Sequence, residues 1–170
     1  MEGVMLRAAE PADLDVLYRL ENDQDLWHLS HTQLPFSKAV LAAYLHSAAV
    51  DIYTAKQYRY IIAQEKEGDV LGCVDLFDFH PMHGRAGVGI VLLDAYRGKG
   101  IGKKALTLLE EQAFGVLQLH QLYANFAPEN EASKALFESM GYRVSGVKKQ
   151  WNFSNNTYHD EVMVQKIYND

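Results

Sequence analysis

Residues 88–103 read Val-Gly-Ile-Val-Leu-Leu-Asp-Ala-Tyr-Arg-Gly-Lys-Gly-Ile-Gly-Lys, and no other stretch restricts the fold as tightly. An apolar, β-branched run over 88–93 gives way to a short polar turn, then to Arg97-Gly98-Lys99-Gly100-Ile101-Gly102, then to a helical pattern. The order is strand, glycine loop, helix. Such a loop presents consecutive backbone N–H groups at a helix N-terminus, where unpaired donors and the helix dipole both favour an anion. Glycines permit positive φ and close approach of a phosphate, and Arg97, Lys99, Lys103 and Lys104 add positive charge around it. The stretch predicts a phosphate-bearing ligand.

Two familiar phosphate loops fit poorly. The ATP-type loop needs Gly-Lys-Ser/Thr after four intervening residues, whereas no hydroxyl residue follows Lys103. A dinucleotide fingerprint separates its second and third glycines by two residues, and here Gly102 arrives one residue early with no acid-ended strand to follow. A turn whose glycines serve packing alone is the plainer alternative for these six residues. The rest of the chain discriminates.

The 170 residues suit one domain over 1–170 with a real core, and 48% hydrophobic with 22% charged residues is an ordinary globular composition. Cys73 is the single cysteine, which excludes an intramolecular disulfide and suggests a reducing, cytoplasmic setting; in an apolar strand pattern it reads as core rather than nucleophile. Sixteen basic against twenty-two acidic residues, a formal charge of −6, argue against a nucleic-acid or anionic-membrane surface and suit a cationic substrate. There is no signal-peptide pattern, and no apolar run approaches the roughly 18 residues of a membrane span. The triplets starting at Asn152 and Asn155 match the glycosylation pattern but mean little without a secretory signal. No metal-ligand spacing is found.

Residues 4–8 alternate as a short strand, and Pro11 opens a helix to about Glu21 with Leu14, Leu17, Tyr18 and Glu21 on one face. Residues 22–35 are polar and irregular, with Trp27, His28, His31 and Gln33, and read as a surface loop or a binding lid. Ser37 caps a second helix ending near Val50. Strands over 59–65 and 70–79, joined by a turn at 67–69, form a hairpin, and a third strand over 85–93 leads into the glycine loop, which makes an antiparallel meander. The following helix runs to about Gly115, and a strand over 119–126 is expected to pair parallel with 85–93 by a right-handed crossover. Asn130 caps a fourth helix ended by Gly141, and strands over 142–153 and 158–167 close the chain as a hairpin turning at 154–157. The expectation is an α+β, three-layer α/β/α arrangement: a mixed, largely antiparallel sheet of about seven strands with about four helices.

The pattern Arg97-x-x-Gly100-x-Gly102, with residues 130–137 and the Met140-Gly141-Tyr142 triplet at matching spacing, resembles the GNAT N-acetyltransferases, and the order of elements is that of the GNAT fold over essentially the whole chain. Arg59, residues 83–86, residues 113–122 and the final hairpin are most similar to the spermidine and ribosomal-protein acetyltransferases. The resemblance implies acetyl-CoA as cosubstrate. Ile90, Val91 and Leu92 would offer backbone groups to the acetyl carbonyl and pantetheine, and Arg97, Gly98, Lys99, Gly100, Ile101, Gly102 and Lys103 would hold the pyrophosphate. Asn130, with Ser133 and Lys134 one turn on, would lie near the pantetheine arm. It also implies direct attack of a primary amine, of a small diamine or polyamine or of a protein N-terminus, on the thioester, in a sequential mechanism.

Two positions depart from the family pattern. The common tyrosine, the acid for the departing thiolate, is Phe137, and the glutamate base of some relatives is Gly87. The catalytic acid and base are therefore unassigned. Catalysis resting on positioning and a strand N–H as oxyanion donor is one answer; a CoA-binding regulatory protein without turnover is the alternative, and a nucleotide-binding module is a third. Asp75, on the strand beside the cofactor strand, is the first substrate-facing candidate, with Asp78, His80 and His83 behind it. Residues 29–38 hold no acid that would mark a polyamine site. Exposed edges at the final hairpin suggest a homodimer.

Overall fold

The computed structural model describes residues 3–24, 32–47, 50–65 and 68–169. Seven strands form one mixed sheet: β1 (Val4–Ala8), β2 (Tyr58–Gln64), β3 (Val70–His80), β4 (Arg85–Leu92), β5 (Gln121–Phe126), β6 (Arg143–Ser154) and β7 (Thr157–Ile167). Their spatial order is β1-β2-β3-β4-β5-β7-β6. All neighbours are antiparallel except β4 and β5, as a helical crossover requires. Helices α1 (Leu14–Glu21) and α2 (Lys38–Ser47) cover one face; α4 (Ile101–Glu110) and α5 (Glu131–Ser139) belong to the other.

Strand alternation decides which face each side chain serves. On β3, Val74 and Leu76 join Val88 of β4 and Ala105, Leu106 and Leu109 of α4 in the larger core. Cys73, one residue out of phase, joins Ile61, Ala63, Leu17, Leu20 and Leu45 in the smaller core under α1 and α2. Asp75 shares the phase of Cys73, so it emerges among α1, α2 and the sheet rather than under α4.

The sequence expectations hold for the strands and their order, with local differences. The first helix starts as a 3-10 turn at Pro11–Asp13, tied to β1 by Arg7, whose guanidinium donates to both Asp13 oxygens at 2.7 and 2.8 Å. A short extra helix, α3 (Ile52–Ala55), is capped by Asp51, which accepts from the Tyr53 and Thr54 N–H groups. Helix α4 widens into a π turn over Glu111–Val116, so the helical segment ends near Gly115 as expected, and β5 starts at Gln121 rather than 119. The final hairpin turns on Asn155 and Asn156, both at positive φ. Of the 22–35 segment, residues 25–31, which include Trp27, His28 and His31, lie outside the described residues, as does Glu67 of the predicted turn. The ends of that segment are joined: the Asn22 amide donates to the Phe36 carbonyl at 3.0 Å and accepts from the Phe36 N–H at 2.8 Å.

Candidate active site

The site begins where two strands part. β4 pairs with β5 over only three rungs, Arg85 with Gln121, Ala86 with Leu122 and Gly87 with Tyr123, whereas it stays paired with β3 as far as Leu92. Past Tyr123, β5 continues along β7 instead, with Ala124 opposite Val164 and Phe126 opposite Val162. The β5-facing edge of β4 beyond Gly87 therefore has no partner strand among the described residues. Ile90, Val91 and Leu92 all lie on this released edge, half-buried, with Ile90 and Leu92 packed on the larger core and Val91 on the smaller. Their side chains anchor the strand and leave backbone donors and acceptors for an extended ligand to complete as a further strand.

The glycine loop lies at the open end of this fork. Gly98 and Gly100 have φ of +70° and +76°, and a Cβ on either would meet nothing within 4 Å. Their requirement is backbone conformation, beside open space, as in a phosphate cradle. Gly100 is the N-cap of α4, so the first N–H groups of Ile101, Gly102 and Lys103 face the cradle without intrahelical partners. Gly102 differs: a Cβ there would stand 3.3 Å from Leu136 Cδ2 and 3.8 Å from Ile90 Cδ1, so it is the packing glycine that seats α4 against α5 and β4. Arg97 folds back, donating to the Leu92 carbonyl at 3.0 Å and pairing with Asp94 at 2.6 Å, and Lys99 lies 5.9 Å from the Tyr96 ring centroid. Arg97, Lys99 and Lys103 are exposed and surround the cradle with cationic groups.

Across the fork, the Asn130 side chain accepts from the Ser133 N–H at 3.0 Å and so caps α5. Lys134 stays exposed, 4.0 Å from Glu131. These three residues are brought to one helix end.

A cavity of about 320 Å³ opens on the α1/α2 face, lined by Glu21, Tyr44, Tyr58, Arg59, Asp75 and Phe77 among others. Its floor is an ion triad. Arg59 donates to both Asp75 oxygens, at 2.7 and 2.8 Å, and to Glu21 Oε1, with its guanidinium 5.8 Å from the Tyr44 ring centroid. Burial alone would lower the Arg59 pKa, but the bonds and charge of Asp75 overcome it and hold the group above its ordinary value. Sequence reasoning singled out Asp75 but not Glu21, which arrives from the last residue of α1, 38 positions before Arg59. A carboxylate among apolar helix positions, ending a helix beside a loop, is the only local signal it carried.

Phe77 is the wall shared by cavity and fork. It is paired with Gly87, and a Cβ on Gly87 would run into the Phe77 ring. Phe137 is 3% exposed, with its ring 6.2 Å from Phe126 and 5.0 Å from Tyr142. Cys73 is 1% exposed and its thiol is pushed up to about 12 by burial, which excludes it as an acyl carrier at neutral pH.

Comparison with known proteins fits this arrangement. Residues 4–143 match the family model described as an acetyltransferase (GNAT) domain. The chain is 27% identical over 160 residues to the spermidine N(1)-acetyltransferase of Escherichia coli strain K12, covering 94% of this chain and 83% of that protein. Among solved structures, the spermidine N-acetyltransferase of Vibrio cholerae in complex with CoA and spermine superposes with a TM-score of 0.88 at 22% identity, covering 96% of this chain and 95% of that one. A dodecameric structure of the Vibrio cholerae enzyme in an intermediate state gives 0.80 at 23% identity, over 96% and 93%. A sheet forked at Gly87, a glycine cradle at its mouth and a match spanning both leave one assignment: the chain belongs to the GNAT family of acetyl-CoA-dependent N-acetyltransferases.

Proposed function

We propose that the protein transfers the acetyl group of acetyl-CoA to a primary amine of a polyamine of the spermidine and spermine class. The observation that carries the reading is the position of the cavity: it adjoins the fork apex through Phe77, and its ionised lining residues are two carboxylates, Glu21 and Asp75, against one guanidinium. Aromatic walls at Tyr44, Tyr58 and Phe77 accept methylene segments and attract cations, while the acid excess favours an ammonium over an anion. The names of the Escherichia coli and Vibrio cholerae relatives support the same class. The acid lies on α1 and β3, which is why residues 29–38 could lack one.

The pyrophosphate would be held by residues 97–103, and the pantetheine arm by the edge of β4 at Ile90, Val91 and Leu92 with Asn130, Ser133 and Lys134 opposite. A protein N-terminus is the second acceptor class; a peptide would have to seat its backbone in the same 320 Å³, and the acid excess gives it no added advantage. Self-association is supported by the exposed outer strand β6, with Val144, Val147, Trp151 and Phe153 exposed, and by the dodecameric relative. A cytoplasmic location is supported by the lone, unpaired Cys73.

The test is thiol release from acetyl-CoA across spermidine, spermine, short diamines, monoamines and peptides. Saturable turnover with polyamines at lower KM than with monoamines or peptides is the expected result. A preference for peptides would replace the acceptor class, and tight CoA binding with no turnover on any amine would return the regulatory alternative.

A further inference from the structure

With no space for a side chain at Gly87, where some relatives carry a glutamate base, the amine proton needs another acceptor. The rung that ends the β4–β5 ladder supplies one. Phe77, Gly87 and Tyr123 are consecutive across the sheet, Phe77 opposite Gly87 and Gly87 opposite Tyr123. The Tyr123 ring meets Phe77 edge-on at 5.8 Å, and its hydroxyl donates to Asp78 Oδ2 at 2.7 Å.

Asp78 is not placed there by regular strand geometry. The β3–β4 register holds at Phe77 and resumes only at His80 opposite Arg85, and within this bulge Asp78 has a φ of +46°. A left-handed conformation is uncommon for a residue with a Cβ, Asp and Asn adopting it most readily among them, and bulges recur where a side chain is re-aimed beside an active site. Asp78 is exposed, so the strain secures no burial. What it secures is a carboxylate bonded to Tyr123, at the apex of the fork and on the far side of Phe77 from the Arg59 triad.

We propose that Asp78 is the catalytic proton acceptor for the amine, with Tyr123 as the residue that positions it; this rests on the acceptor reading above. The ammonium N–H proton passes to Asp78 Oδ1, the oxygen not held by Tyr123, and on to solvent, which the exposure of Asp78 allows. The nitrogen lone pair then forms the C–N bond to the thioester carbon as the carbonyl π pair moves to oxygen. When that pair returns, the C–S bond breaks, and the thiolate takes the second nitrogen-bound proton. The sum is an amide, free thiol and one proton to solvent.

Burial first, and then the bond to Asp78, raise the Tyr123 pKa well above its ordinary value, so the phenol remains the donor of that bond through the neutral range. Among the described residues, Arg85 on β4 acts on Tyr123 electrostatically, and His80 and His83, stacked 4.3 Å apart, follow Asp78 at the end of β3. Tyr44, Arg59 and Asp75 lie on the cavity side of Phe77.

The experiment compares pH profiles of kcat/KM for wild type, Asp78→Asn and Tyr123→Phe on whichever amine wild type turns over fastest. A wrong acceptor class then shows as a different preferred amine and leaves the variant ratios as the readout. Asn tolerates positive φ, so the first variant keeps the bulge. Asp78→Asn is expected to lower kcat/KM about 100-fold at neutral pH, the size of a lost general base, with the deficit shrinking as pH rises and free amine accumulates. Tyr123→Phe is expected to lower kcat by a smaller factor at unchanged CoA affinity. Asp78→Asn within threefold of wild type at neutral pH, or a deficit of equal size at every pH accompanied by a lower melting temperature, overturns the proposal.

Discussion

The ring of Phe77 occupies the space that any side chain on Gly87 would enter: a Cβ built there falls well inside van der Waals contact with Phe77 Cε2 and Cζ. Gly87 has no positive φ, so the exclusion is purely steric and belongs to its neighbour. Phe77 thereby does two things at once. It removes a side chain from the apex of the fork, and its ring both lines the cavity above the Arg59 triad and meets the Tyr123 ring edge-on.

Because the conflict is local to one ring, it should be relieved by removing that ring. Gly87→Ala is expected to lower stability by about 1–3 kcal/mol, the usual range for overpacking a filled site. In a Phe77→Ala background the same substitution should have little effect. Denaturant midpoints for the two single variants and the double variant measure this coupling directly; additive losses would show that Phe77 is not the obstacle.

The two kinds of glycine in the loop should separate by assay. Gly100→Ala meets no atoms but forces a Cβ into the left-handed region, at about 1 kcal/mol, and distorts the cradle itself. A large loss of CoA affinity in calorimetry with a small change in melting temperature is expected. Gly102→Ala presses on Leu136 Cδ2, 3.3 Å away, instead, so its effect should appear mainly in the melting temperature.

How much of this was readable beforehand depends on the range of the interaction responsible. The strand–glycine loop–helix order and the helix ends at Ser37, Asn130 and Gly141 follow from patterns within a few residues, and the structure places them accordingly: Ser37 Oγ accepts from the Val40 N–H at 3.2 Å, Asn130 Oδ1 accepts from the Ser133 N–H at 3.0 Å, and Gly141 takes φ of +86°. The Glu21–Arg59–Asp75 triad spans 54 positions and rests on packing, which residue spacing does not encode. The bulge at Asp78 was equally hidden, since the sequence Phe-Asp-Phe-His continues an acceptable strand alternation. The π turn after α4 escaped because Gln112, Ala113 and Gly115 suit an α-helix and its cap as well.

Arg59 neutralises two carboxylates, and its loss should exceed the value of any single bond. Arg59→Met leaves Glu21 and Asp75 facing each other at about 19% and 28% side-chain exposure, a situation that usually destabilises by about 3–5 kcal/mol. Asp75→Asn keeps Arg59 paired with Glu21 and should be milder. Chemical denaturation of the two variants orders them; a milder Arg59→Met would mean that the triad is solvated in solution.

Asp13 links β1 to the first helix, and its titration gives a pH dependence of known sign. Burial raises its pKa, but the Arg7 guanidinium and the Glu10 N–H, bonded at 2.7 to 2.8 Å, more than reverse this, so the folded value lies below the ordinary one of 3.8. A depressed carboxylate stabilises the fold above its unfolded pKa, and that contribution is lost as pH falls through the folded value. Asp13→Asn is therefore expected to lose about 1.5–3 kcal/mol at neutral pH, the range for bonds to a charged group, and to fall less steeply than wild type below about pH 4. Parallel stability curves down to pH 2 would contradict the assignment.

Cys73 decides between two kinetic schemes. Its thiol sits at the interface of the sheet with α1 and α2, 1% exposed and with a pKa of about 12, so at neutral pH essentially none of it is thiolate. An acetyl-cysteine intermediate would also require an amine to reach an atom sealed beneath Leu17, Leu20 and Leu45. Cys73→Ala is accordingly expected to retain kcat, while losing about 1 kcal/mol of stability from the small cavity left behind. Initial rates at varied acetyl-CoA and amine should give intersecting double-reciprocal lines, as a ternary complex requires. Parallel lines that vanish in Cys73→Ala would place the acyl group on the thiol after all, and would mean that α1 and α2 open during turnover.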